Sequence, residues 1–99
     1  GKKVLVHHIP LWGNETDCTP CRELWGDLLK KNPVDVSLNA HTHVYAYHPA
    51  GSLGNPCPIV VGGGYELDEA TVMMLTRKGD MLKLKVLDTK GHILQELEL

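Results

Sequence analysis

Two short apolar segments of this 99-residue chain each run directly into histidines, and this arrangement constrains the fold more than any other feature. Residues 4–6 (VLV) precede a histidine pair at 7–8, and the alternating residues 34–39 precede His41 and His43. Because side chains alternate along a strand, His41 and His43 are expected to share one face. Neutral imidazole is a common transition-metal ligand, so the sequence predicts part of a metal site at the ends of two strands.

The size and charge of the chain exclude several classes of function. Ninety-nine residues make one domain or a piece of one, and a hydrophobic share of 42% is enough for a core. A net charge of -2 gives no basic field to recruit nucleic acid or anionic lipid. No stretch approaches the roughly 20 apolar residues of a membrane span, and no signal-peptide hydrophobic region is present. The chain enters a strand almost at once without a methionine, so we expect a fragment and leave its compartment open.

Hydrophobic periodicity predicts an α+β fold, a mixed sheet of about six strands with one helix packed on a face. Thr19 fits a helix N-cap and Pro20 the first helical position, while residues 32–33 (NP) end the helix. The apolar side chains predicted to face the core are Cys21, Leu24, Trp25, Leu28 and Leu29. The predicted strands cover residues 4–6, 34–39, 58–61, 71–77, 81–87 and 93–97, with a further short strand at 44–47.

Three cysteines leave several interpretations open. An odd number argues against a complete disulfide framework but permits one bridge. The spacing of Cys18 and Cys21 suits redox chemistry, and it also suits two ligands of a zinc site. No second Cys-x-x-Cys is present to complete four zinc ligands. We favour loop cysteines that are bridged to each other or to Cys57.

Taken together, the two histidine motifs resemble the later motifs of calcineurin-like metallophosphoesterases, the superfamily that includes the purple acid phosphatases. In that family a strand ends in histidine, commonly as His-x-Pro, and a helix, a strand and Gly-His-x-His follow. Residues 8–10 (HIP) match the first motif, and residues 40–43 (AHTH) match the second with Ala40 in place of glycine. Residues 58–64 are similar to the strand and glycine turn that often follow. The resemblance covers roughly residues 4–64 and leaves residues 65–99 as a terminal β-meander.

This resemblance implies the carboxyl-terminal half of a four-layer α/β/β/α sandwich and a bimetal hydrolase. Family members hold two metal ions, which can be iron, manganese or zinc, and a bridging hydroxide attacks phosphorus. By the family pattern His8 and His41 would bind one ion and His43 the other. His7 is the rival of His8, but the His-x-Pro spacing favours His8. Since adjacent strand residues face opposite ways, His7 is then expected to pack or to form hydrogen bonds nearby.

The family's earlier motifs are missing from this sequence. They supply an Asp with a His, a bridging Asp and a Gly-Asn-His-Asp/Glu segment, all before the His-x-Pro strand. Residues 13–15 (GNE) resemble the last of these only superficially, and we interpret them as a turn. We therefore expect a phosphoesterase whose substrate binds to the longer protein, with this chain supplying the later ligands and inactive alone. The competing hypothesis is a non-catalytic zinc-binding or interaction domain that uses His41, His43 and the cysteines.

Other features have simpler interpretations. A sheet cut from such a sandwich exposes an apolar face or an edge, so we expect the chain to self-associate. Residues 62–64 (GGG) are interpreted as a turn lining the cleft, since no lysine follows to complete a phosphate cradle. Trp12 and Tyr45 are interpreted as packing groups, with walls of a substrate cleft as the alternative. His48 and His92 are expected to be exposed.

Overall fold

A computed structural model describes residues 1–13 and 18–99 of the chain. Residues 14–17 lie outside the described part, and so does most of the turn predicted at residues 13–15. No helix of the described ranges is long and apolar enough to cross a membrane. Within these ranges the elements are, in chain order, β1 (Val4–Val6), α1 (Thr19–Lys31), β2 (Val36–Asn39), β3 (Ala46–His48), β4 (Ile59–Val61), β5 (Thr71–Lys78), β6 (Met81–Asp88) and β7 (Ile93–Glu98).

The strands form two sheets. The first has the order β1-β2-β4-β3, in which β1, β2 and β4 are parallel and β3 is antiparallel to β4. The second is the antiparallel meander β5-β6-β7. The predicted α+β fold with a mixed sheet and one helix is confirmed. The prediction of a single sheet was wrong, because the meander packs against the face of the mixed sheet and does not extend its edge.

A hydrophobic core lies between the two sheets. Leu38 and Val60 are register partners in the mixed sheet, and their side chains meet Leu84 and Val86 of β6. Leu84 and Val86 occupy alternate positions of β6 and are fully buried. This core fixes the meander against the mixed sheet, so the opposite face of that sheet is left for α1.

A second apolar cluster lies on the helix side of the mixed sheet. Leu11 and Trp12, from the loop after β1, are buried there against Ile59 and Val61 of β4. These two side chains occupy much of the sheet surface that a helix would otherwise cover. Cys21 and Leu29 are the side chains of α1 that pack against this cluster.

The predicted inner face of α1 was partly wrong. Leu24 is 73% exposed and Leu28 is 57% exposed, while Trp25 is also exposed. The buried position of α1 is Gly26, which lies near the ring of Trp12. Because Trp12 fills the gap beneath the helix, α1 contacts the sheet through a narrower stripe than its apolar pattern predicts.

The start of α1 also differs from the prediction by one residue. Cys18 is the N-cap, and its sulfur accepts a hydrogen bond from the backbone N–H of Cys21 at 3.3 Å. Thr19 is therefore the first residue of the helix and Pro20 lies within its first turn. At the other end Asn32 is the C-cap, as residues 32–33 predicted, and its amide group donates to the carbonyl of Leu28.

We expect Asp88 to stabilise the β6–β7 turn in a pH-dependent way. Its carboxylate accepts hydrogen bonds from the backbone N–H groups of Lys90 and His92 and pairs with the His92 ring. The backbone N–H of His92 contributes most to holding the pKa of Asp88 below its ordinary value of 3.8. The stabilisation is therefore present above pH 4 and is lost as the pH falls through the lowered pKa. Urea unfolding of Asp88→Asn and wild type should differ at pH 7 and converge in strong acid; an equal difference at both pH values contradicts this.

Candidate functional site

The carboxyl ends of the three parallel strands meet at one edge of the mixed sheet. β1 is followed there by the histidines at residues 7–8, β2 by residues 40–43 and β4 by residues 62–64. The backbone N–H of Ala40 donates to the carbonyl of His8 at 2.9 Å, which ties the first two segments together. Open sheets of this type collect functional groups at this edge, because loops from neighbouring strands converge there.

His8 and His41 are in direct contact at this edge. Nε2 of His8 lies 3.2 Å from Nδ1 of His41, and the ring centroids are 5.0 Å apart at an interplanar angle of 83°. Both side chains are exposed to solvent. The contact joins two residues 33 positions apart in the sequence, so the pairing of β1 with β2 creates it.

The backbone at the second histidine motif is unusual. His41 has a φ of 73° and His43 a φ of 63°, both in the left-handed region that only a few per cent of non-glycine residues adopt. The N–H of Thr42 donates to the carbonyl of Ala40 at 2.9 Å, so a tight three-residue turn closes around His41. Ala40 itself does not have a positive φ, so an alanine is compatible with this backbone. Strained conformations of this kind concentrate at functional sites.

His43 points to a different neighbour from His41. Its ring contacts the exposed Tyr65 edge to face, with centroids 5.4 Å apart. Gly64 lies so close that a Cβ there would stand 2.9 Å from Cβ of His43. The structure thus brings His8 and His41 together but leaves His43 apart, and residues 1–13 and 18–99 contain no group of three potential metal ligands. The sequence did not single out Tyr65, and it offered only the glycine run beside it as a signal of close packing.

His7 lies on the helix side of the sheet in a polar network. Its ring lies 3.3 Å from Oγ of Ser37 and 3.1 Å from Nδ2 of Asn39, and that amide also donates to the carbonyl of His7 at 3.0 Å. Oγ of Ser37 donates to Oδ1 of Asn39 at 3.0 Å. Burial is the main influence on His7 and lowers its pKa, with a smaller opposing effect from the backbone of Ile9. His7 packs and forms hydrogen bonds, as expected for the rival of His8.

Sequence reasoning missed the partners of His7. Ser37 and Asn39 are both buried, at 5% exposure each, on a strand whose alternate residues fill the core. The alternating pattern of residues 34–39 places these two polar side chains on one face. Since buried polar groups require hydrogen-bond partners, that pattern was a usable signal for a polar network beside the first histidine pair.

The histidine pair fits part of the coordination shell of one metal ion. Two nitrogens bound tetrahedrally to the same zinc ion at 2.0–2.1 Å are about 3.3 Å apart. The 3.2 Å between His8 and His41 matches this spacing, and it equally matches a hydrogen bond between the two rings. Two neutral imidazoles are half of a tetrahedral shell, and no carboxylate of the described residues joins them. The described residues therefore fit one incomplete ion site and do not supply a two-ion centre.

The cysteines do not join the histidines, so the zinc site expected from His41, His43 and cysteines is not formed in the described structure. Cys18 and Cys21 are bonded to each other as a disulfide, which removes both thiolates as ligands. Cys57 is buried at 3% exposure just before β4, at the opposite end of that strand from the histidines. Of the interpretations left open for Cys18 and Cys21, the bridge excludes zinc ligation and is compatible both with bridged loop cysteines and with the oxidised form of a redox pair.

The remaining candidate residues take structural positions. Trp12 is buried under α1 and Tyr45 packs at the border of the core between the sheets, so both are packing groups as predicted. His48 lies in β3 opposite Ile59 at the far edge from the site and is half-buried, contrary to the expected exposure. His92 is exposed in the β6–β7 turn, as expected.

No protein-family model matches this chain, and neither does any curated protein. Among solved structures, it is similar to a conserved uncharacterized protein of Streptococcus pneumoniae TIGR4 described as a predicted phosphoesterase, at 11% identity and a TM-score of 0.49 over 82% of this chain and 48% of that one. It is also similar to wild-type Vps29 of Entamoeba histolytica in complex with Zn²⁺, at 17% identity and a TM-score of 0.47 over 95% of this chain and 53% of that one. The chain thus spans about half the length of both structures.

Proposed function

We propose that this chain supplies the later histidine ligands of a metal-dependent phosphoesterase. The observation that supports the proposal best is the 3.2 Å contact between His8 and His41, which unites two motifs that are 33 residues apart. The order of these motifs, His-Ile-Pro after β1 and Ala-His-Thr-His after β2, is that of calcineurin-like metallophosphoesterases. The left-handed backbone at His41 and His43 is consistent with side chains held in place for binding.

In this proposal His8 and His41 would hold one metal ion and His43 would bind the other. Ions bound there, which can be iron, manganese or zinc, would supply a nucleophilic hydroxide and polarise the phosphoryl oxygens. His7 orients the end of β1 through its hydrogen bonds with Ser37 and Asn39. The backbone hydrogen bond from Ala40 to His8 holds the two histidine motifs in register. The carboxylates needed to balance the charge of two ions come from outside residues 1–99, so the chain acts as the carboxyl-terminal half of a larger phosphoesterase and is inactive by itself.

The metal-binding part of the proposal predicts a loss of zinc affinity when the pair is broken. His8→Ala and His41→Ala should each weaken Zn²⁺ binding to this chain by about tenfold, because each removes one of two paired ligands. Isothermal titration calorimetry with zinc chloride measures the effect. His92→Ala is the matched control, since His92 is an exposed histidine in the β6–β7 turn. Equal affinities for His41→Ala, His92→Ala and wild type would exclude the paired site.

The catalytic part is tested in the full-length protein. Hydrolysis of p-nitrophenyl phosphate should depend on added metal and should fall in His41→Ala and His43→Ala but not in His92→Ala. The isolated chain should show no turnover. Metal-dependent turnover by the isolated chain, or full activity of the full-length His41→Ala variant, would overturn this assignment.

We also propose that the isolated chain self-associates through the exposed apolar residues of α1 and the free edge of β1. Leu24 and Leu28 of α1 are mostly exposed, and Val6 at the end of the edge strand β1 is 71% exposed. Burial of such surface against a second copy is favourable. Sedimentation at increasing concentration should show a rising average mass that Leu24→Glu lowers. Leu67→Glu, at another exposed leucine, should leave the association unchanged, and a monomer at all concentrations contradicts the proposal.

A further inference from the structure

The Cys18–Cys21 disulfide occupies the amino terminus of α1. Cys18 is the N-cap and Cys21 lies in the first turn, so the bridge spans the end of the helix where backbone N–H groups lack intrahelical partners. One of those groups, the N–H of Cys21, already donates to the sulfur of Cys18 at 3.3 Å. The helix lies between the parallel neighbours β1 and β2, so the motif sits in a βαβ unit.

We propose that Cys18 and Cys21 form a reversible dithiol–disulfide pair that exchanges with low-molecular-weight thiols, with Cys18 as the reacting sulfur. This function is separate from the histidine site and does not depend on the proposed phosphoesterase. The entropic stabilisation from a disulfide grows with the length of the loop that it closes. This one joins residues three positions apart, so it contributes less of that kind than a bridge between distant segments.

The surroundings of the two sulfurs assign them different roles. Cys21 packs against the apolar cluster of Leu11 and Trp12 beneath the helix, whereas Cys18 lies outside the helix as its cap. The bridged sulfur of Cys18 accepts the N–H of Cys21 and lies at the positive end of the helix dipole, and both features would stabilise a thiolate there. No acidic side chain lies in the first turn of the described helix to oppose this. Cys18 is therefore the sulfur better able to exist as a thiolate.

The reduction of the disulfide takes place in two successive thiol–disulfide exchange steps. A thiolate from the small molecule attacks Sγ of Cys18, the bond between the two protein sulfurs breaks, and Cys21 leaves as a thiolate that takes up a proton. A second thiolate then attacks the external sulfur of the mixed disulfide and releases Cys18 as a thiolate. Two molecules of thiol are oxidised to one disulfide, and the protein pair gains two electrons.

Glutathione equilibration of the wild-type chain tests reversibility without any variant. The protein is equilibrated with glutathione and its disulfide, and the exchange is then quenched in acid. Free thiols are alkylated in denaturant, and the number of labels is measured by mass spectrometry. Cys57 takes one label in every state, so the oxidised chain carries one label and the reduced chain carries three. More than half of the chain should be reduced at 10 mM glutathione with 0.1 mM of its disulfide, a poise on the order of that of cellular glutathione. A chain that stays fully oxidised there has a structural disulfide, and the proposal is then wrong.

Single-cysteine variants test which sulfur reacts. Cys21→Ser leaves Cys18 free and Cys18→Ser leaves Cys21 free, and each native protein is mixed with glutathione disulfide. The mixed disulfide should form about tenfold faster on Cys18 than on Cys21, because of the greater thiolate character of Cys18. Cys57 is the internal reference, since burial raises the pKa of its thiol and it should stay unmodified in the folded chain. Equal rates on Cys18 and Cys21 would remove the assigned role of Cys18, and labelling of Cys57 would reveal an unfolded variant.

Discussion

Replacement of Gly63 by alanine should lower the free energy of unfolding by about 3 kcal/mol. A Cβ at this position would overlap the carbonyl oxygen of Glu69 and would lie 3.0 Å from its carbonyl carbon. These are backbone atoms, so the strain cannot be relieved by rotation of a side chain. The N–H of Gly63 also donates to Oγ1 of Thr71 at 2.9 Å, which holds the glycine turn against the start of β5. Urea unfolding monitored by circular dichroism measures the loss.

Gly62→Ala is the matched control for this substitution. Its new Cβ would meet the flexible end of Met73 at 3.4 Å and Oγ1 of Thr71 at 3.5 Å, which are ordinary contacts. We expect a change below about 1 kcal/mol, because alanine also restricts the unfolded chain relative to glycine. Equal stability of the two variants would mean that the glycine turn does not approach Glu69, and the placement of residues 62–64 beside His43 would have to be revised.

Leu84→Ala should also lower the free energy of unfolding by about 3 kcal/mol, since the shortened side chain leaves a cavity between the two sheets. Leu84 is fully buried, and its neighbours Leu38 and Val60 belong to the mixed sheet. The substitution therefore weakens the interface that joins the meander to the strands that carry the histidines. Chemical unfolding provides the measurement.

Leu94→Ala is the control for Leu84→Ala. Leu94 lies in the neighbouring strand β7 and is 45% exposed, so its truncation removes the same atoms without a closed cavity. We expect a loss of less than about 1 kcal/mol. If the two substitutions lowered the free energy of unfolding equally, Leu84 would not be enclosed between the two sheets. The face-to-face packing of the meander on the mixed sheet would then have to be revised.

Local pattern was enough to place most elements. Alternation and turn residues located the three strands of the meander to within one residue of their observed ends, because Gly79 and Gly91 with their positive φ mark the two turns. The pattern overextended β2 at its start: residues 34–39 were predicted, and the strand is Val36–Asn39. Residue type alone does not decide where the ladder with β1 and β4 begins.

Side-chain chemistry was predicted less completely than the strands. The sequence placed His8, His41 and His43 at strand ends, and the structure has them there, but their distances were not encoded in either motif. His41 and His43 were expected on one face because a strand alternates, yet both residues have left-handed backbones beyond the end of β2. Strand alternation does not hold in such a turn, so His41 meets His8 and His43 meets Tyr65.

The sequence by itself determined the class of the fold, the succession of its elements along the chain and the position of the histidines after two strands. These follow from periodicity, which records what each segment can bury on its own. Tertiary structure decided that the strands divide into two sheets, that Trp12 takes the space under α1, and that His8 meets His41. Each of these outcomes depends on competition between distant segments for the same apolar surface, and no local pattern expresses that competition.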